Sequence, residues 1–320
     1  MTAGAPAGVI VDAAREEPVV LTPVRRTARA PFRTRSLIPW AFLVPGLLLG
    51  ALFKFIPMIE GFRMSAVKVQ PFLGDEFVGF DNYAKVLGDQ RFMDALGHTV
   101  ILGLGQTIGS LAVGVVLALL LEGTTRRLWF IRTAVFLPVV TALAVVGEIW
   151  RILYFPADAG FLNQVLGTVG IAPQGFISDQ STALGYVMLV GIWTGAPYNM
   201  VIILAGLAGI DRTLYEAAAV DGVTVRQRLV HIVLPALRPA VSVVLTLAAI
   251  RSLRTFTEVY VLTGGGPAGS TEVWMTRVYS LGFRSNDLGV ASAASVLLLL
   301  ATLALTIGVR ALTSRKEKAL

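Results

Sequence analysis

"YEAAAVDGVTVRQRLVHIVLPALRP", residues Tyr215–Pro239, interrupts the second half of a 320-residue chain whose other long segments are strongly apolar. The stretch has the grammar of two short helices and a turn. Thr213, just upstream, pairs with Glu216 as a capping box, Ala217–Ala219 propagate a helix, and Gly222 after Asp221 supplies a stop. A second box, Thr224 with Gln227, restarts the helix, and Pro235 marks its transition to the next apolar segment. Leu214, Ala217, Ala218 and Asp221 share one helical face, and the small alanines let another backbone approach closely. This first helix is built to be docked against.

The surroundings of the stretch set the solvent. With 55% hydrophobic and only 15% charged residues, the chain cannot hide its apolar surface in a water-soluble core, because soluble domains are about a quarter charged. Six segments, about 37–58, 99–121, 132–154, 183–209, 238–262 and 288–311, are long and apolar enough to cross roughly 30 Å of hydrocarbon as helices. Backbone polar groups find no water at that depth, and the alternation of a membrane barrel is missing, so an all-α, six-helix membrane bundle is expected. The first segment follows a basic tail without an A-x-A-like cleavage site and reads as a retained helix. The tail, 1–36, is rich in Ala, Pro and Arg without periodicity and reads as disordered.

Lysine and arginine placement orients the bundle. Arg15, Arg25, Arg26, Arg29, Arg33 and Arg35 of the tail, Arg126, Arg127 and Arg132, Arg212, Arg226, Arg228 and Arg238 of the 210–238 loop, and Arg310, Arg315, Lys316 and Lys318 fall on one side. The alternate loops hold only Arg63, Lys68, Lys85, Arg91, Arg277 and Arg284. The positive-inside rule therefore places both termini and the 210–238 loop in the cytoplasm.

Several chemistries are excluded by what is missing. The chain has no cysteine and two histidines, His98 and His231, too few for a metal centre or a thiol nucleophile. A phosphate-cradling loop needs G-x-x-x-x-G-K-[ST], whereas the Gly run "GGGPAGS" (264–270) has no lysine and reads as a turn. A helix, a glycine turn and a basic helix also describe a DNA reader, but the stretch lies between two membrane segments without a third helix to give it a core, and no nucleic-acid partner is expected. An intramembrane serine protease would need a nucleophile near a base in G-x-S-G surroundings, which are absent. A secondary transporter stays open as an alternative, although no inverted repeat is detectable.

Glu216-Ala217-Ala218, Gly222, Ile232 and Leu234-Pro235 reproduce the spacing Glu-Ala-Ala, three residues, Gly, nine residues, Ile-x-Leu-Pro. In this the sequence resembles the permease subunits of bacterial ABC importers. "FVGFDNYAKVLGD" (77–89), "NMVIILAGLAGIDRTLYEAA" (199–218) and "FTEVYVLTGGGPAGSTE" (256–272) are similar to the carbohydrate branch related to maltose and glycerol-phosphate permeases. The resemblance covers residues 37–315 and implies a type I importer permease fold in the bacterial inner membrane, without enzymatic activity of its own. It implies that Glu216, Ala217, Ala218, Asp221, Gly222, Leu234 and Pro235 belong to a coupling element seated on an ATPase subunit. It implies no cofactor in this chain, with ATP and Mg held by two ATP-binding cassette subunits, and it implies a second homologous permease and an extracytoplasmic solute-binding protein as partners. The solute could be a carbohydrate or belong to another class. Val223 after Gly222 departs from the small residue common there.

Charged residues within the spans point to a passage. Arg251, Arg254 and Glu258 fall at i, i+3 and i+7 of the fifth segment, and Glu148 and Arg151 at i and i+3 of the third. Charge at the centre of a bilayer costs about 2.5–3.5 kcal/mol on insertion scales, so these groups should face a cavity or one another. A structural ion-pair network and a solute pathway are both consistent with that placement. Trp193, Tyr198 and Asn199 are further lining candidates, since aromatic faces stack on sugar rings and amides bond hydroxyls.

Overall fold

The computed structural model describes residues 38–70 and 74–317. The basic tail 1–36 and residues 318–320 lie outside the described residues, and so do the calls of disorder and location made on them. The chain divides into two units, 1–52 and 53–320. In the first, α1 (Ile38–Gly50) is apolar throughout and leaves Trp40, Phe42, Leu43 and Leu47 exposed. A wide helical turn at Ala51–Phe55 continues the backbone into α2 (Ile56–Ser65).

The second unit is helical apart from a two-residue antiparallel ribbon that pairs Val67 with Phe77 and Lys68 with Glu76. Next come α3 (Asp81–Gly88), α4 (Gln90–Leu120), α5 (Arg126–Val140), α6 (Leu143–Leu153), α7 (Phe161–Thr168) and α8 (Ala183–Ala208). Then follow α9 (Arg212–Val220), α10 (Val225–Arg228), α11 (Leu234–Ala236), α12 (Arg238–Ser252), α13 (Thr257–Leu262), α14 (Trp274–Tyr279) and α15 (Leu288–Glu317). Residues 316 and 317, expected in a tail, continue α15.

Four stretches among the described residues are unbroken helices long and apolar enough to cross a membrane: Phe42–Ser65, Gln90–Leu120, Ala183–Ala208 and Leu288–Val309. Bent pairs raise the number to as many as six: α5 with α6, turning by 97°, and the Val225–Ala236 segment with α12, turning by 59°. The protein is thus an all-α, multi-pass membrane protein, and two of the expected spans are not single helices. In 132–154 the break falls at Thr141, whose backbone is extended. Pro138 cannot donate to the carbonyl four residues back, and the Thr141 hydroxyl donates to Leu137 O at 2.9 Å in place of a backbone N–H. In 238–262 α12 stops at Ser252 and α13 starts at Thr257. The freed carbonyls are met locally: Arg254 N donates to Arg251 O, Ser252 Oγ to Ala249 O and Thr255 Oγ1 to Ser252 O. Such local acceptance is what lets a helix stop inside a bilayer.

The main seam joins α4 to α8, and it is made of glycine. A Cβ on Gly114 would lie 2.8 Å from Asn199 Cβ and 3.0 Å from Ala196 O, and one on Gly195 would lie 3.1 Å from Ser110 Cβ. Helices in lipid gain no hydrophobic drive from meeting each other, so close backbone approach supplies the attraction through dispersion and polar contact. Along this seam Met200 and Ile203 of α8 are buried with Ala118 of α4. At one end of the bundle, Arg277 Nη2 binds Asp89 Oδ2 at 2.8 Å, and Trp274 N donates to Thr99 Oγ1 at 2.9 Å, tying α14 to the start of α4. Burial opposes ionisation of Asp89, but the hydrogen bonds from Arg277 and from Arg91 N hold its carboxyl below the usual range.

Candidate functional site

The break between α12 and α13 opens onto a cavity of about 400 Å³. Its wall comes from α4, α8 and the interrupted α12–α13 segment, with Leu143 added from the start of α6. On α4, Gln106, Thr107 and Ser110 stand in the otherwise apolar stretch 100–120 and face it. Gln106 Nε2 approaches Glu258 Oε2 at 3.4 Å, and Asn199 Nδ2 donates to Ser110 Oγ at 3.0 Å. Gly191 makes room for this arrangement, because a Cβ there would collide with the Gln106 amide. The guanidinium of Arg251, an exposed residue at the cavity's edge, lies over the Tyr198 ring, 4.9 Å from its centroid, in a cation–π contact. The cavity therefore offers amides, hydroxyls, two guanidinium groups and one carboxylate within an apolar bundle, a set suited to a small polar solute.

Arg251, Arg254, Glu258 and Asn199 line this cavity. The first three converge for a different reason from the one the spacing suggests. The helix breaks between Arg251 and Glu258, so they do not occupy one helical face, and the interruption itself turns them toward the same space. Glu148 and Arg151 do not line it: they pair with each other at 2.8 Å on α6 with about half of each side chain exposed. Trp193 is 45% exposed and packs edge-on against Trp150, also off the wall. Tyr198 is also off the wall and touches it only through its ring contact with Arg251. Gln106, Thr107, Ser110, Thr194, Thr255 and Thr257 are lining residues that charge alone does not reveal; uncharged polar side chains recurring within apolar segments were the available signal.

The second feature is α9. Asp211 caps it, accepting from Thr213 N at 2.9 Å, so the expected Thr213–Glu216 box is replaced by a cap two residues earlier. The backbone hydrogen bond from Thr213 holds the Asp211 carboxyl below the usual range. Glu216 falls in the second turn rather than the first, and it is fully on the exposed side. The Thr224–Gln227 box forms as expected, with Thr224 N donating to Gln227 Oε1 at 3.0 Å. Tyr215 and Ala218 turn toward the bundle, where Tyr215 packs on the cluster around Leu207 and Ile210. Leu214, Ala217, Val220, Asp221 and Gly222 are left open, Val220 at 88%.

Gly222 closes the helix at φ +67°. Val223 N donates to Ala218 O at 3.0 Å and Gly222 N to Ala219 O at 3.3 Å, the paired bonds of a Schellman turn. Val223 thus fills its place through its backbone, and its side chain is no obstacle. Leu234 and Pro235 form the short α11 after a wide turn at Leu229–Val233, which joins α10 to α12.

A multi-pass helical membrane protein whose broken helices enclose a polar cavity, and which holds one short helix open at its edge, is a membrane transport subunit. The chain belongs to the family of binding-protein-dependent transport system inner membrane components, which matches residues 36–318. It is 34% identical over 279 residues to the probable ABC transporter permease protein YurN of Bacillus subtilis, covering 85% of this chain and 94% of that one. It is 32% identical over 273 residues to the sn-glycerol-3-phosphate transport system permease protein UgpA of Agrobacterium fabrum, covering 85% and 92%. Its fold matches a chain in the crystal structure of a bacterial ABC transporter involved in the import of the acidic polysaccharide alginate, with a TM-score of 0.78 over 88% of this chain and 96% of that one at 24% identity. The chain is a transport permease and not an enzyme, and among the described residues no group of His, Cys, Asp and Glu could hold a metal ion.

Proposed function

We propose that this chain forms half of the membrane pathway of an ATP-driven importer for a sugar or a related carbohydrate. The observation that carries the reading is the open face of α9, ended by a left-handed Gly222 and preceded by Asp211, in a chain of the transport family. Relatives named for sn-glycerol-3-phosphate, arabinooligosaccharides and trehalose/maltose support the carbohydrate class. So does the cavity, whose amides and hydroxyls suit a polyhydroxylated solute.

In this reading α5 with α6 makes the third span and α12 with α13 the fifth, giving six, with 37–315 as the transmembrane domain and the flanking segments 1–36 and 316–320 cytoplasmic with loop 210–238. The chain carries no cofactor; two ATP-binding cassette subunits hold ATP and Mg and receive Glu216, Ala217, Asp221 and Gly222, Ala218 of the same motif packs inward against the bundle instead of on the face it was expected to share with Ala217 and Asp221, and Leu234 and Pro235 transmit motion to α12. A second homologous permease completes the pathway in the lipid, and a solute-binding protein delivers solute from outside. Arg251, Arg254, Glu258 and Asn199 contact the solute, with Tyr198 positioning Arg251. Glu148, Arg151 and Trp193 reach the pathway only if a conformational change rotates α6 and α8.

Affinity purification of the tagged chain from its own membranes tests the reading. The expected eluate contains a second permease and an ATPase subunit, and ATP hydrolysis rises when the sugar-loaded binding protein is added. A chain that transports alone, driven by an ion gradient, would sink it. Orientation is tested by single-cysteine labelling, which is free of background because the native chain has no cysteine. Thr224→Cys should label only from the cytoplasm and Asp75→Cys only from outside. The reverse pattern rejects the topology.

A further inference from the structure

Four aromatic rings lie outside every buried cluster and continue the cavity wall outward. Phe256 and Tyr260 form an i, i+4 pair on α13 and its N-terminal flank, and Tyr279 and Phe283 form another at the end of α14 and the wide turn after it. Phe256 and Tyr260 stack with centroids 5.2 Å apart, Tyr260 meets Tyr279 edge-on at 5.1 Å, and Tyr279 stacks on Phe283 at 5.0 Å. Phe256 also touches Tyr279 at 5.4 Å, so the rings form one unbroken ladder. One end, Phe256, belongs to the cavity wall. At the other, Phe283 is 77% exposed, and Tyr260 between them is 36% exposed. Arg284 follows Phe283 directly in the chain, at the ladder's exposed end.

We propose that Phe256, Tyr260, Tyr279 and Phe283 form a stacking track for pyranose rings between the exposed end and the cavity. The proposal rests on the carbohydrate reading above and adds a site to it. A pyranose ring has an apolar C–H face and a hydroxyl rim, and aromatic side chains offer an apolar face beside a polar tip at little cost in conformational freedom. The Tyr260 and Tyr279 hydroxyls and Arg284 supply rim partners. Several weak, similar contacts in series suit passage better than one tight site, because conduction requires binding favourable enough to enter and weak enough to leave. Rings that only anchored the protein at the membrane interface would have no need to run without a break into a wall that also carries Gln106 and Asn199.

The test is saturation-transfer NMR on the complete complex, purified with its partner subunits in lipid nanodiscs, with maltotriose as probe and acyclic mannitol as control. Irradiating the aromatic resonances should saturate the ring C–H protons of maltotriose and leave mannitol several-fold weaker. The double variant Tyr260→Leu/Phe283→Leu keeps apolar bulk for any lipid or subunit contact but removes two π faces. It should lower the maltotriose signal about five-fold, the weight of roughly one aromatic contact, at unchanged complex yield. Equal signals from the wild type and the variant overturn the proposal, and so does the absence of signal from an intact complex, which means that another subunit or lipid covers the ladder. The parent reading fails by a separate route: a ligand screen of the copurified binding protein that returns a solute other than a carbohydrate.

Discussion

Gly222→Pro should abolish uptake and solute-stimulated ATP hydrolysis while the chain still inserts in the membrane. Proline fixes φ near −65°, whereas Gly222 stands at +67°, and proline also lacks the N–H that Gly222 donates to Ala219 O. The Schellman turn cannot form, so the exit of α9 and the direction of α10 change together. Gly222→Ala is the graded counterpart. A Cβ there meets nothing within 4 Å, so its only penalty is the left-handed backbone, about 1–2 kcal/mol, and partial uptake should remain. Glu216→Lys leaves the helix intact, since Glu216 is exposed and outside the cap, yet it reverses the charge on the face of α9 that we propose docks on an ATPase subunit. Uptake should fall to background here too. Normal uptake in both Gly222→Pro and Glu216→Lys would remove α9 from the coupling path.

Gly114→Leu should cost the complex most of its yield. The first added carbon alone would lie 2.8 Å from Asn199 Cβ, 3.0 Å from Ala196 O and 3.1 Å from Met200 N, two of them backbone atoms that cannot rotate away. Overpacking of a fitted interior costs about 1–3 kcal/mol, and a leucine where no side chain fits should reach the upper end or pass it. The seam must open, which also pulls Asn199 from Ser110 and widens the cavity. Gly97→Leu on the same helix is the control, because a Cβ at Gly97 meets nothing within 4 Å. Detergent-extracted yield and thermal midpoint measured side by side should drop steeply for Gly114→Leu and stay near wild type for Gly97→Leu. Similar losses in both would show that the α4–α8 approach is not what limits assembly.

The coupling prediction could have been written from the sequence alone, and the seam prediction could not. Hydropathy and length identify the membrane-crossing segments because the requirement is local: every backbone group in hydrocarbon must be satisfied within its own segment. The same holds for the Thr224–Gln227 box and the Gly222 stop, where a few consecutive residues, 224–227 and 218–223, supply all the partners. Asp211 replaced Thr213 as the cap because both residue types can accept from a helix N-terminus, and the choice between candidates two residues apart rests on where the chain leaves α8. The break between α12 and α13 was open to two readings for a related reason. Residues 251–258, RSLRTFTE, are polar enough either to line one face of a continuous helix or to interrupt it, and the local hydroxyls of Ser252 and Thr255 make the interruption tolerable there.

Charge pattern in a chain of this kind determines which residues must avoid lipid, and it points to Arg251, Arg254 and Glu258, which line the cavity. It does not determine where that surrounding is. Glu148 and Arg151 meet the same need by pairing with each other on the surface of α6, while Arg251 meets it over the ring of Tyr198. Sequence spacing fixes neighbours along one helix. The contacts that make the cavity, Gln106 with Glu258 across 152 positions and Asn199 with Ser110 across 89, depend on how closely glycines let α4 and α8 approach, and that is a property of the packed bundle.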